Sequence, residues 1–321
     1  MPPLRLSVHM KAYDRALPVL NGQVPIEGID PIFISFGIEN FGRMLTNLEY
    51  DISEMSLSSF LIARDRGVPI TAIPVFPHRR FRHSYIFVDT KGRIKEPRDL
   101  IGKRVGIPIY QPTAIVWIRA ILQHEYDVRP EQMKFFYDRE KEPLPISPPS
   151  NVSIQSTGGV KKEKLFLEEK LDALFDSDIP SIFEQGNPAI KRLFDDYRRV
   201  ELDYYKRTGL FPIMHTIVIK QKLLEEYPWI ATSVWRACVR SKKESYSRMR
   251  DPRFSNLLWP HVYWEEEMKD LGTKDPWTYN LGDNRKVIET FMSYSKEQGL
   301  IKKELNIEEI FASNTLDLRD N

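Results

Sequence analysis

Cysteine is almost missing: Cys238 is the single one in 321 residues, so no internal disulfide can form and a disulfide-stapled scaffold is excluded. Cys238 lies in an apolar, helical-looking run at 230–239, where a small buried hydrophobe is expected. This usage fits a reducing compartment. Long apolar runs are also lacking, since nothing approaches 18 consecutive apolar residues. Residues 1–10, MPPLRLSVHM, carry neither a seven-residue apolar run nor a small-residue cleavage pattern. The expectation is therefore a cytoplasmic protein with no membrane partner. Net charge is equally scarce: 47 Lys and Arg against 45 Asp and Glu leave +2, too weak a field to hold a polyphosphate backbone, so nucleic acid is not an expected partner. Glycine is thin, 15 against 23 prolines, the reverse of average usage. Four of those prolines fall in the stiff segment 142–150, EPLPISPPS.

Several motifs are absent too. The chain has no G-x-G-x-x-G, Walker loop, G-x-S-x-G elbow, H-E-x-x-H or paired Cys/His spacing. Dinucleotide, nucleotide and structural-zinc chemistry fall away. No cofactor and no metal is expected, with a divalent cation held by scattered carboxylates and histidines as the open alternative.

What is present is ordinary for a globular chain: 41% hydrophobic, 12% aromatic and 29% charged residues, over a length that suggests about two domains. Short apolar runs at 4–8, 31–36, 52–55, 70–76, 84–88, 104–108, 133–137, 173–175 and 214–219 alternate with helical patterns at 39–47, 58–65, 113–125, 161–169, 222–249 and 284–298. Strands alternating with helices argue for α/β layers around mostly parallel sheets.

Candidate chemistry collects near the ends of these runs. The densest titratable cluster is His78, Arg79, Arg80, Phe81, Arg82, His83, either a solvated turn or a place where a planar guanidinium meets a carboxylate. Gln111 and Thr113 stand where a strand runs into the helix 113–125, whose free N–H groups attract an anion; an ordinary capped helix is the alternative. His215 interrupts the apolar run 211–219, where it needs a partner and where burial or a carboxylate can tune it. Asp176 and Asp178 follow a strand, as turn residues or as partners of a histidine or arginine. Ser56, Ser58 and Ser59 follow another, able to cap the next helix or to donate to an anion. His9 ends the first strand, while His124 and His261 look peripheral.

These residues resemble the 4,5-dihydroxyphthalate decarboxylase family, which is related in fold to type II periplasmic binding proteins. The resemblance runs over nearly the whole chain. Its most specific pieces are Tyr13-Asp14-Arg15, Glu27-Gly28-Ile29-Asp30, Glu54-Met55-Ser56-Leu57-Ser58-Ser59, Ile73-Pro74-Val75-Phe76-Pro77, Phe81-Arg82-His83-Ser84, Gly102-Lys103-Arg104-Val105-Gly106, Tyr110-Gln111 with Thr113-Ala114 and Trp117, the run from Thr208 to Thr216, and Trp277-Thr278-Tyr279-Asn280-Leu281 with Asn284-Arg285. It departs at 175–180, FDSDIP, where the family pattern has an arginine near the proline. That departure opens related aromatic acids as substrates.

The resemblance implies an α/β, two-lobe, periplasmic-binding-protein type II-like fold with a ligand cleft between the lobes. Lobe 1 would be 1–83 with 209–321, and lobe 2 would be 84–208. It implies cofactor-independent decarboxylation of a hydroxylated aromatic acid, foremost 4,5-dihydroxyphthalate to 3,4-dihydroxybenzoate, and a small aromatic carboxylate as partner. A solute-binding protein for a small anionic aromatic is the alternative. Oligomeric state stays open, a homo-oligomer among the options. The expected catalytic residues are His215 as acid and Asp176 or His83 as base for the phenol. Arg80 or Arg82, with the helix start at Thr113, would hold the retained carboxylate. Ser56, Ser58, Gln111, Trp117, Thr216 and Tyr279 complete the expected substrate-binding set. Pro77, Pro112, Pro180 and Pro212 fall beside these elements, where their fixed backbone angle would help hold geometry.

Overall fold

The computed structural model describes residues 2–37, 39–139 and 144–320. The chain forms two compact units. The first comprises Met1–Arg79, Ile213–Glu289 and Glu304–Asn321, and the second Arg80–Pro212 and Thr290–Lys303.

In the first unit, strands β1 (Leu4–His9), β2 (Ile29–Ile34), β3 (Ile52–Ser56), β4 (Ile70–Arg79) and the late strand β11 (Ile213–Lys220) form one sheet in the order β2-β1-β3-β11-β4. The first three run parallel, and β11 enters antiparallel between β3 and β4. Every residue of β3 is buried, as a central strand covered on both faces requires. The helix Leu57–Asp65 leaves β3 directly and buries Phe60, Leu61 and Ile62. From the other end of the chain, Trp229–Met249 supplies Ile230, Val234 and Cys238. Burial pushes the Cys238 thiol up to about 12, so it is an inert small hydrophobe.

The second unit holds β5 (Ile86–Asp89), β6 (Arg104–Ile107), β7 (Lys134–Tyr137), β8 (Ser153–Ser156), β9 (Ala173–Phe175) and β10 (Ile190–Arg192) in the order β10-β5-β9-β6-β7-β8. Its core includes Phe87, Phe166, Leu171, Leu174 and Ile190. The helix Thr113–Tyr126 starts after Pro112 and ends where Asp127 turns left-handed at φ 57. Thr113 is thus the first helical residue, with Pro112 in the capping position.

Four expectations are corrected. Both sheets are mixed rather than mostly parallel, because β11, β5 and β10 pair antiparallel with their neighbours. The helix expected at 222–249 is two, Gln221–Glu226 and Trp229–Met249, since Pro228 lacks an N–H and its ring obstructs the preceding turn. The segments 80–83 and 209–212 belong to the second unit, not the first; Arg80 N donates to Pro212 O at 3.0 Å. Residues 290–303 also belong to the second unit. There Phe291 stacks on Trp117 at 5.3 Å, and Gln298 accepts from Arg119 Nε at 2.7 Å while donating to Val116 O at 3.1 Å. Residues 142 and 143 of the proline-rich segment lie outside the described residues. No helix among the described residues is long and apolar enough to cross a membrane.

Candidate active site

The first unit carries the densest polar constellation. In β11, His215 pairs with Ser56 of β3 and His78 of β4, and the β11–β4 register shifts on both sides of it. Such an irregularity re-aims a side chain that a regular ladder would hold flat. His215 Nδ1 lies 2.5 Å from Glu54 Oε1. Glu54, inside β3, has no exposed surface. Its carboxylate also accepts from the Tyr13 hydroxyl at 2.7 Å and from the Lys11 N–H at 2.9 Å. Burial alone would raise the Glu54 pKa, but the bonds from His215, Lys11 and Tyr13 outweigh it and hold the carboxyl below its ordinary range. Tyr13 moves upward, through burial and then through the Glu54 charge, and so stays a neutral donor.

Aromatic rings border this pair. His78 meets the His215 ring edge-on at 4.8 Å and Phe41 does so at 5.4 Å. Phe41 also touches His9, 5.9 Å away, and His9 stacks on Phe36 at 5.0 Å. The Arg15 guanidinium lies over the rings of Tyr13 and Trp277, 4.5 and 3.8 Å from their centroids, which fixes the tyrosine that bonds Glu54. Ser56 and Ser58, both buried, place their Oγ atoms 3.2 Å apart at the start of the helix Leu57–Asp65. His215 keeps 17% of its side chain accessible. A partly open imidazole backed by a buried carboxylate can hold a proton and release it to a bound molecule.

The other expected site residues have different surroundings. Thr216 is fully buried and donates to Ile73 O at 3.1 Å, which ties β11 to β4. Tyr279 is buried under Lys242 Nζ, and its backbone carbonyl accepts from Trp235. Trp117 has no exposed surface and packs against Phe291 and Tyr294. All three are packing residues rather than the substrate contacts expected.

In the second unit, Asp176 is bound to Lys162 at 3.0 Å. Burial raises its pKa despite that lysine. The carboxylate that orients His215 is Glu54; Asp176, expected as a base for the phenol, meets Lys162. His83 is enclosed by Tyr126, Phe194 and Tyr204, and neither ring nitrogen has a hydrogen-bond partner among the described residues. Burial pushes it down to about 4. Such a histidine is a neutral core ring, not an accessible base. Arg82 is buried, donates to Ser177 O at 2.8 Å and is pushed down to about 10 by burial. Arg79 donates to Asn284 Oδ1 at 2.8 Å within the first unit. Arg80 is the exposed guanidinium of the cluster. Gln111 donates to Leu144 O at 3.0 Å beside buried Thr113. Among the described residues no three His, Cys, Asp or Glu side chains converge as metal ligands.

Glu54, Tyr13 and the Lys11 N–H were not among the expected site groups. A signal existed: Glu54 is a charged residue inside a run otherwise fit for a buried strand.

Comparison with known proteins follows this geometry. Residues 43–137 match the NMT1/THI5 like family model. A 4,5-dihydroxyphthalate decarboxylase of Comamonas testosteroni is 33% identical over 99% of both chains. One from Pseudomonas putida is 33% identical over 64% of this chain and 83% of its own. Among solved structures, the periplasmic aliphatic sulphonate binding protein SsuA from Escherichia coli superposes with a TM-score of 0.60 at 12% identity, covering 98% of this chain and 99% of that one. A cysteine-to-serine mutant of DszB in complex with biphenyl-2-sulfinic acid gives 0.56 at 12% identity, over 96% of each. These structural likenesses establish a periplasmic-binding-protein fold, and the full-length relationship goes further: the chain belongs to the 4,5-dihydroxyphthalate decarboxylase family.

Proposed function

We propose that this protein converts 4,5-dihydroxyphthalate to 3,4-dihydroxybenzoate and carbon dioxide, with His215 as the proton donor. The observation that carries the assignment is the 2.5 Å contact between His215 Nδ1 and the buried Glu54 carboxylate. The Glu54 carboxylate holds Nδ1 and orients the ring, which leaves Nε2 as the nitrogen able to pass a proton to a substrate carbon.

In the substrate each carboxylate stands para to a hydroxyl. As that hydroxyl loses its proton, electron density moves through the ring to the carbon bearing the departing carboxylate. His215 delivers a proton to this carbon, the bond to the carboxylate breaks, its electron pair restores the aromatic ring, and carbon dioxide leaves. The balance is one proton consumed per carbon dioxide released. The chemistry as drawn uses no cofactor. The single cysteine is buried and free, which is compatible with a place in aromatic-acid breakdown in a reducing cytoplasm.

The test is incubation of the purified protein with 4,5-dihydroxyphthalate while carbon dioxide and 3,4-dihydroxybenzoate are measured. Turnover in the wild type, lost in His215→Gln with binding retained, supports the reading. Tight binding without turnover would make the protein a solute-binding member of the fold instead.

A further inference from the structure

The mechanism above needs a base for the hydroxyl, and neither Asp176 nor His83 has the surroundings of one. His9 does. It closes β1 with no exposed surface, and two hydrogen bonds determine its tautomer. The Ser53 hydroxyl donates its one proton to the Glu54 carbonyl at 2.8 Å, so the same oxygen, 3.0 Å from His9 Nδ1, can only accept there. The His9 proton is therefore on Nδ1. Burial holds the ring below its ordinary pKa, against the pull of the Glu54 and Glu39 carboxylates and together with the opposing charges of Arg43 and His215. The ring is neutral near pH 7, and Nε2 carries a lone pair.

That nitrogen is buried, and no described protein group donates to it. A buried acceptor left without a donor is unfavourable, and a ligand hydroxyl would satisfy it. The location suits such a ligand, because Phe41 packs edge-on against both His9 and His215, so the two imidazoles border one phenyl ring. A para-hydroxybenzoate likewise carries its hydroxyl and its carboxyl-bearing carbon at opposite ends of one ring. Three rings enclose His9, and Phe36 is less buried than Phe41 or Tyr50.

We infer that His9 Nε2 is the catalytic base that accepts the proton of the substrate hydroxyl para to the departing carboxylate. This rests on the decarboxylase reading and completes it. The hydroxyl O–H bond breaks and its proton forms a bond to Nε2. The phenolate electrons flow toward the carbon that His215 protonates. After carbon dioxide departs, His9 returns its proton to the product oxygen, and His215 is reprotonated from solvent.

The test compares His9→Gln with the wild type on two substrates: 4,5-dihydroxyphthalate and a ring-fluorinated analogue whose hydroxyl is already ionised at the assay pH. Glutamine can accept a hydrogen bond but cannot carry the proton. The expected result is a kcat loss of about 100-fold or more on the parent substrate that largely disappears on the ionised analogue. An equal loss on both substrates, or none on either, overturns the assignment. Should His9→Gln fail to fold, Ser53→Ala, which frees the tautomer, must show the same substrate-dependent loss to a smaller degree, and an equal effect on both substrates again overturns it. A wild type inactive on both substrates overturns the decarboxylase reading and this inference together. An active wild type with a substrate-independent variant overturns this inference alone.

Discussion

Glu54 and His215 lie 161 residues apart in the chain, yet a carboxylate oxygen of one sits 2.5 Å from Nδ1 of the other. Strand β11 makes the contact by inserting between β3 and β4, and the irregular register around His215 turns its ring toward the acid. Tyr13 and the Lys11 N–H occupy the rest of the carboxylate, so the acid is held in one orientation before any substrate arrives.

Replacing Glu54 with glutamine keeps the shape and removes the carboxylate that orients His215. The expected effect of Glu54→Gln is a fall in kcat of about 100-fold or more, with substrate binding little changed. Stability gives a second readout. Because Glu54 has a folded pKa below its unfolded value, its ionised form stabilises the fold above the ordinary carboxylate range, and that contribution is lost as pH falls through the folded pKa. Denaturant midpoints measured on the acid side of pH 5 should fall less steeply for Glu54→Gln than for the wild type.

His83 acts on stability in the same sense, over a higher pH range. Its unfolded form protonates near 6.5, whereas the folded form does so at about 4. Stability is then full above 6.5 and declines as pH drops toward 4, by about 3 kcal/mol at 1.36 kcal/mol per unit. His83→Phe fits among Tyr126, Phe194 and Tyr204 and should remove much of that decline while leaving decarboxylation intact. Loss of kcat without loss of stability would restore His83 to the reaction.

Asp176 neutralises a buried lysine. In Asp176→Asn, Lys162 is left with the more distant Asp138 carboxylate, 3.7 Å away, and unfolding should become easier by about 3 kcal/mol. Combining it with Lys162→Met should recover part of that loss in a chemical denaturation series. An unchanged stability with abolished turnover would instead make Asp176 catalytic.

Trp117 and Thr216 serve packing. Trp117→Ala opens the space beside Phe291 and Tyr294 and should cost about 3–5 kcal/mol. Thr216→Val removes the bond to the Ile73 carbonyl at roughly constant volume, for about 1 kcal/mol. In both, thermal midpoints should drop while KM for the folded enzyme stays near the wild-type value. A raised KM at unchanged stability would return either residue to the substrate site.

Local patterns carried much of the fold. The strands around 52–55, 70–76 and 104–108 and the helix beginning at Thr113 are legible because burial on both faces demands apolar runs and an amphipathic helix repeats every 3.6 residues. The polar strand Ser153–Ser156, the short strand Ile190–Arg192 and the helix Pro260–Leu271, which buries no residue, lack such a signature and were not legible. Trp117, Thr216 and Tyr279 show the same gap at single residues. An aromatic or hydroxyl group within a family motif reads alike whether it faces a ligand or the core.

By itself, then, the sequence determined the α/β alternation, the family, and the presence of a histidine in a strand too apolar to leave it unpartnered. The tertiary structure decided which carboxylate that histidine meets, that the cluster at residues 78–83 is divided between two units with Arg79 and Arg82 in separate interiors, and which tautomer His9 carries. The reason is range. Periodicity and burial act over a few neighbouring residues, whereas the Glu54–His215 contact exists only once a strand from the far half of the chain has paired beside β3.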